Sequence, residues 1–171
     1  WIPQVKASAH NAGEVFVVAN DYRRGDMKPY IFRTADYGKT WTRMIDENKV
    51  KGYALCVQQD PAEPNLIFVG TENGLWISFD NGASFEQFKN GYPSVSTYDF
   101  AIQEREADLV IATFGRALWV LDDIRPLRKA AANKGMKFTA PVTAFAAPDA
   151  YQAEYKSATG YEWSTYGLYE A

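Results

Sequence analysis

The sequence predicts an all-β protein assembled from repeated four-stranded antiparallel sheets. Three observations predict it. An octapeptide occurs twice, as TADYGKTW at 34–41 and SFDNGASF at 78–85, with its aspartates 44 residues apart. The sequence around it repeats at a similar period, and a fixed period of this size marks a repeat architecture. Aromatic residues make up 15% of the chain, which favours strands over a helical bundle.

The repeat extends beyond the octapeptide. NLIFVGTENGLWISFD at 65–80 matches DLVIATFGRALWVLDD at 108–123, and EVFVVAND at 14–21 with PYIFRTAD at 29–36 forms the first unit around an insertion at 21–28. Each unit reads as short strands. ALCVQQD at 54–60 alternates and stops at Pro61, which cannot donate in a ladder. NLIFVGT and GLWISFD are short apolar runs rich in β-formers, and FEQFKN at 85–90 alternates again. Turn residues separate them at 61–65, 72–74 and 80–83. Helical patterning occurs only in PLRKAAANKG at 126–135, with Pro at its start and Gly at its end.

Four short strands per forty-odd residues is the signature of a β-propeller blade. Residues 1–125 are therefore expected to form three consecutive blades, at 1–48, 49–91 and 92–125. Residues 126–136 are expected to be a short helical linker. Residues 137–171 are expected to hold a closing strand, centred on 142–146, and a truncated C-terminal segment. The third unit lacks the octapeptide and an obvious fourth strand. Three blades do not close a ring, so the expectation is a partial propeller, the C-terminal part of a larger protein. The first residue is Trp rather than Met, which fits that reading.

Between the third and fourth strands, the octapeptide makes physical sense as a stapled turn. Asp36 and Asp80 can fold back onto turn amides, with Thr34 or Ser78 before them and Thr40 or Ser84 after. Gly38 and Gly82 supply backbone that a Cβ would penalise. Trp41 and Phe85 are expected to plug the space between adjacent sheets.

These residues resemble a known family feature, the Asp-box or BNR repeat, S/T-x-D-x-G-x-T/S-W/F. Such boxes occur in sialidases, in two-propeller xyloglucan hydrolases and in the propeller of sortilin-type receptors. DLVIATFGRALWVLDDIRPLR at 108–128 resembles the last blade of exported, sortilin-like bacterial BNR-repeat proteins, with Phe114 standing where His is usual. The resemblance covers roughly residues 1–128 and implies export. It is specific for fold and says little about activity, because one scaffold hosts many functions.

Composition excludes several classes. A net charge of −3 gives no basic footprint for nucleic acid. A single cysteine, Cys56, rules out an internal disulfide, and one cysteine with one histidine is too few for a usual zinc site. No metal or cofactor is expected, since no phosphate-binding or dinucleotide motif occurs. No apolar run is long enough to span a bilayer. His10 reads as structural or solvated, RGD at 24–26 as a charged loop tip, and Asp122–Asp123 as turn capping.

Strand alternation predicts one functional face. The octapeptide turns share an end with the first-to-second turns, leaving the second-to-third turns and the inter-blade links opposite. That opposite end carries the candidate ligand residues Arg23, Arg24, Asp26, Glu72, Tyr92 and Arg116. Arg116, in its short Gly115–Arg116 turn, is the leading one. Mixed charge with an aromatic suits a sugar or a peptide. The primary expectation is a non-catalytic binding or interaction module recognising peptide or carbohydrate. Its partners are expected to be the rest of the propeller or a second copy. The alternative is part of a glycoside hydrolase, sialidase- or xyloglucanase-like, which needs two opposed carboxylates. Asp26, Glu72 and Asp99 are the only candidates on the right face, and no spacing connects them. A purely structural role is the third reading.

Overall fold

The computed structural model describes residues 1–135 and 142–147. Among these residues eleven strands form three antiparallel meanders, followed by one α-helix. The first sheet contains β1 (Gln4–Ala7), β2 (Val15–Asp21), β3 (Asp26–Thr34) and β4 (Thr42–Arg43), in that order. The second contains β5 (Ala54–Gln59), β6 (Ile67–Thr71), β7 (Gly74–Ser78) and β8 (Glu86–Phe88). The third has only β9 (Thr97–Gln103), β10 (Asp108–Thr113) and β11 (Leu118–Leu121). The fold is that of consecutive β-propeller blades, and we call these sheets blades 1 to 3.

Two hydrophobic cores follow from the stacking. In blade 2 every residue of β6 and β7 is buried, because period-2 alternation sends side chains to both faces and both are covered. Ile67, Val69 and Trp76 face blade 1 and pack with Phe16, Val18 and Ile31. Phe68, Leu75 and Ile77 face blade 3 and pack with Phe100, Leu109 and Ile111. We call the face toward the preceding blade leading and the other trailing. The approach of blades 2 and 3 is close at Gly70, where an added Cβ would lie 2.6 Å from the Thr97 carbonyl oxygen.

The insertion at 21–28 is a 3-10 turn (Tyr22–Arg24) closed by Gly25 at φ 84°, which prolongs the β2–β3 hairpin. After β11 the chain turns into α1 (Arg125–Ala132), with Pro126 in its first turn. Ile124, Leu127 and Ala131 close the end of the blade 2–blade 3 core. Arg128 reaches the fully buried Asp60 carboxylate, donating from Nε to both oxygens and from Nη2 to one, at 3.0 Å.

Two expectations need correction. Residues 142–147 form no strand, so the closing strand centred on 142–146 is not made there; 136–141 and 148–171 lie outside the described residues. Trp41 does not plug an inter-sheet space. Phe85 is half-buried against the core between blades 1 and 2, on the leading side of its sheet. Trp41 occupies the same place in blade 1, where no described blade precedes it. It stays 47% exposed, and its indole N–H folds back to donate to the Gly38 carbonyl.

The two octapeptides form matching turns between third and fourth strands. Thr40 donates its amide to Asp36 Oδ1 at 2.9 Å and its hydroxyl to Oδ2 at 2.6 Å, and Ser84 does the same to Asp80 at 2.9 and 2.6 Å. Thr34 Oγ1 donates to Asp36 and accepts from the Gly38 amide, and Ser78 repeats this with Asp80 and Gly82. Each turn passes through two left-handed residues, Tyr37–Gly38 and Asn81–Gly82.

These bonds favour the carboxylate over the acid. Asp36 is lowered to about 2, first by the Thr40 hydroxyl, then by its amide and the Thr34 hydroxyl. Burial pushes Asp80 up, but the Ser84 hydroxyl and amide with Ser78 outweigh it and leave it lowered. The folded pKa values lie below the ordinary one. The stabilisation is therefore complete above about pH 4 and fades as pH falls through the folded values. Melting temperature should drop between about pH 4 and 2, and the drop should shrink in an Asp36→Asn/Asp80→Asn variant. Asp80→Ala should cost about 0.5–2 kcal/mol at neutral pH, by analogy with helix-cap deletions. Equal acid sensitivity in variant and parent would show that the staple carries no charge-dependent stability.

Candidate functional site

Backbone hydrogen bonds define the two ends of the stack. At one end the Asn81 amide in the octapeptide turn donates to the Asn65 carbonyl in the β5–β6 turn. At the other, Glu72 in the β6–β7 turn donates to Tyr53 in the link entering β5, and Phe114 in the β10–β11 turn donates to Ser96 in the link entering β9. Ser96 Oγ donates to the Glu72 carbonyl and ties blades 2 and 3 at this end.

A groove of about 630 Å³ opens at this second end, where the innermost strands β1, β5 and β9 converge. Trp1, Lys6, Tyr22, Arg23, Tyr98 and Asp99 contribute to its walls. Asn20 is also on the wall; it donates from Nδ2 to the Ala54 carbonyl, and its Oδ1 has no partner among the described residues. The aromatic rings in its walls, Trp1, Tyr22 and Tyr98, come from three separate segments. Tyr22 stacks on Tyr53 with centroids 4.4 Å apart, Tyr98 lies 5.8 Å from Phe114, and Trp1 carries the Arg23 guanidinium 5.5 Å from its ring. Trp1, Tyr98 and Phe114 are exposed. The floor is tied together by Gln4, which accepts from the Val57 amide and donates to Asp99 Oδ1.

The sequence-derived candidates divide. Arg23 lies in the groove wall, clamped over Trp1 and Tyr22. Arg24 is beside it, exposed, 3.8 Å from Asp21. Asp26 is nearby in sequence but satisfied locally: it accepts from the Lys28 amide and the Tyr30 hydroxyl, and these two bonds lower its pKa. Glu72 and Arg116 are in turns of the same end, yet among the described residues no hydrogen bond or ion pair joins them to Arg23 or to each other. Arg116 is exposed, and its carbonyl accepts from the Trp119 indole. Tyr92 is a correction. It is buried in the blade 2–blade 3 core, with its hydroxyl 2.7 Å from Thr97 Oγ1 and its ring edge-on to Trp119. Asp99 does line the groove and also accepts from the Phe100 amide.

Trp1, Tyr22, Tyr53, Tyr98 and Phe114 are the residues that sequence reasoning missed. A signal existed: Tyr53 and Tyr98 sit at or just before the first strand of consecutive blades, 45 residues apart. Their neighbourhood emerges only when the blades stack.

The opposite end has a smaller groove, about 430 Å³, lined by Arg33, Thr40, Arg43 and Lys49 among others. Its cations are committed: Arg33 to the buried Glu14, Arg43 to Glu47 and the Pro29 carbonyl, Lys49 to the Met44 carbonyl. His10 at that end bridges through Nε2 to the Asp60 carbonyl. Among the described residues no three His, Cys, Asp or Glu side chains gather as a metal site, and no helix is long and apolar enough to cross a membrane.

No family model matches the chain, and no curated protein matches it. Solved structures do. A GH74 enzyme from Niastella koreensis superposes with a TM-score of 0.59 at 18% identity, over 71% of this chain and 21% of that one. The GH74 xyloglucanase from Xanthomonas campestris gives 0.58 at 16% identity, over 71% and 22%. An ancestral GH74 enzyme gives 0.55 at 22% identity, over 67% and 14%. The chain thus spans about a fifth or less of the length of these propeller proteins, and the likeness is one of fold.

Proposed function

We propose that these blades are the carbohydrate-contacting part of a glycoside-hydrolase-like Asp-box propeller, binding a glucan chain in the groove at the end opposite the octapeptides. The observation that carries the reading is the pair of exposed groove rings, Trp1 and Tyr98, beside the polar groups of Lys6, Asn20 and Asp99, with Phe114 against Tyr98. Aromatic faces with a few convergent polar groups suit a ring that is apolar on its faces and hydroxylated at its edge. The xyloglucanase among the solved structures of the same fold supports the same substrate class. This favours the glycoside hydrolase alternative over a receptor-like, peptide-binding module.

The contribution of this segment is binding. A glycosidic general acid needs a raised pKa. The Lys28 amide and the Tyr30 hydroxyl instead hold Asp26 below the ordinary carboxylate value. A polymeric glucan does not enter cells, so the reading goes with an exported protein.

Titration of the 171-residue protein with xyloglucan and cello-oligosaccharides, followed by tryptophan fluorescence and calorimetry, tests this. Tyr98→Ala and Trp1→Ala should each weaken binding at least about tenfold, equivalent to about 1.4 kcal/mol. Absence of glucan binding, or binding to extended peptides alone, would overturn the proposal.

A further inference from the structure

Lys6 stands apart from the other cations of the fold. Among the described residues four Lys and Arg side chains are half-buried: Lys6, Arg33, Lys49 and Arg128. Arg33 is paired with Glu14, Arg128 with Asp60, and Lys49 donates to the Met44 carbonyl. Lys6 alone of the four has no hydrogen bond and no ion pair among the described residues. An ammonium drawn partly out of water without a counter-charge is unfavourable, and a ligand can supply what the fold does not.

Ladder register fixes where Lys6 points. Lys6 pairs with Phe16 and Gln4 with Val18 on the neighbouring strand. Directly opposed residues share a face, and Phe16 and Val18 face blade 2. Lys6 and Gln4 therefore leave β1 on the side of β5, where Gln4 bonds to Val57 and to Asp99 of β9. Strands β1, β5 and β9 make the surroundings of Lys6, and it lines the groove together with Arg23 and Asp99. Asp99 is the one carboxylate in that lining, and its Oδ1 accepts from the Gln4 side chain and the Phe100 amide, both neutral donors. The Arg23 guanidinium rests on the Trp1 and Tyr22 rings and has no acidic partner among the described residues. The groove thus holds two cations without acidic partners against one carboxylate, on a chain whose net charge is −3.

We propose that the groove takes an acidic glycan, a glucan-type chain with carboxylates in place of some of its hydroxymethyl groups, and that Lys6 with Arg23 holds the carboxylate; this rests on the reading of the groove as a glycan site. The aromatic faces of Trp1 and Tyr98 serve the sugar rings, as for a neutral chain. The added carboxylate gives the Lys6 ammonium its missing counter-charge and accepts from the N–H edge that Arg23 leaves free above the rings. Lys6 and Arg23 are thus the residues that set specificity between a neutral chain and its oxidised counterpart.

Calorimetric titration of the 171-residue protein with cello-oligosaccharides, and with the same chains oxidised at C6 to uronates, tests the charge at constant chain length. The oxidised chain should bind at least about tenfold tighter at low salt, the scale of one charge-assisted hydrogen bond. That preference should shrink as salt is added. Lys6→Met keeps an unbranched side chain without the charge, and it should lower the preference several-fold, whereas Lys6→Arg should retain it. Arg23→Gln, in the exposed hairpin loop, should lower the preference in the same direction and serves if Lys6→Met does not fold by circular dichroism. Equal affinity for the two chains, or a preference for the neutral one, would overturn this inference and leave the glycan reading standing. Binding of neither chain would overturn both. A preference that survives Lys6→Met and Arg23→Gln together would remove the role assigned to these cations.

Discussion

Phe68→Ala is expected to remove about 3–5 kcal/mol of stability, the range for deleting a buried aromatic side chain. Phe68 is fully buried near the start of β6, its ring centroid 6.2 Å from that of Phe100 across the interface between blades 2 and 3. The cost should lie high in the range because the site cannot collapse. Two residues along the strand, Gly70 already brings the backbone so near Thr97 that even a Cβ has no room there. The sheets cannot slide closer to fill the space, so the lining atoms lose their contacts outright. Domain stabilities are commonly about 5–15 kcal/mol, so the variant should melt far below the parent or fail to fold at 37 °C. Urea unfolding followed by circular dichroism measures it. A loss below about 1 kcal/mol would mean that the two blades do not share this core in solution.

The second large effect is expected at the helix. Asp60 is fully buried and accepts from the Ala62 and Glu63 amides as well as from Arg128. Arg128→Ala leaves that carboxylate in place without its cation. Breaking a buried pair in this way costs about 3–5 kcal/mol. Arg128→Lys should rescue only part, since a single ammonium cannot reproduce the two-pronged contact. An Arg128→Ala/Asp60→Asn double variant should be less damaged than the sum of the single changes, because neither group is then stranded. Thermal and denaturant unfolding of the four proteins gives the coupling directly. Full additivity would show that the pair contributes nothing beyond its separate members.

Much of the fold was legible because its unit is local. The octapeptide carries its turn in eight consecutive residues, and the strands flanking it alternate or run apolar in plain view. Asp36 and Asp80 could be placed without knowing anything beyond their own hairpins. The errors fell where the answer depends on another blade. Trp41 and Phe85 are the same letter of the same motif, yet one is exposed and the other half-buried, because among the described residues only Phe85 has a sheet in front of it. Tyr92 looked like a loop aromatic and is a core residue, since the link folds back under Trp119. The groove is the extreme case. Its rings, Trp1, Tyr22 and Tyr98, come from the residues before β1, the β2–β3 hairpin and β9, and no spacing in the chain joins them.

Gln4 has a consequence for the inner rim of the stack. β5 is the innermost strand of its sheet, and one edge of it faces the convergence of the blades rather than a neighbouring strand. A bare edge of that kind is a template on which any extended chain can start a ladder. Gln4 occupies the Val57 amide with its carbonyl oxygen and anchors its own nitrogen on Asp99. An invading strand would have to displace a side chain held from two blades before it could make its first bond. One amide group thus guards the edge against templated misassembly, and it does so only while blades 1, 2 and 3 are all in place.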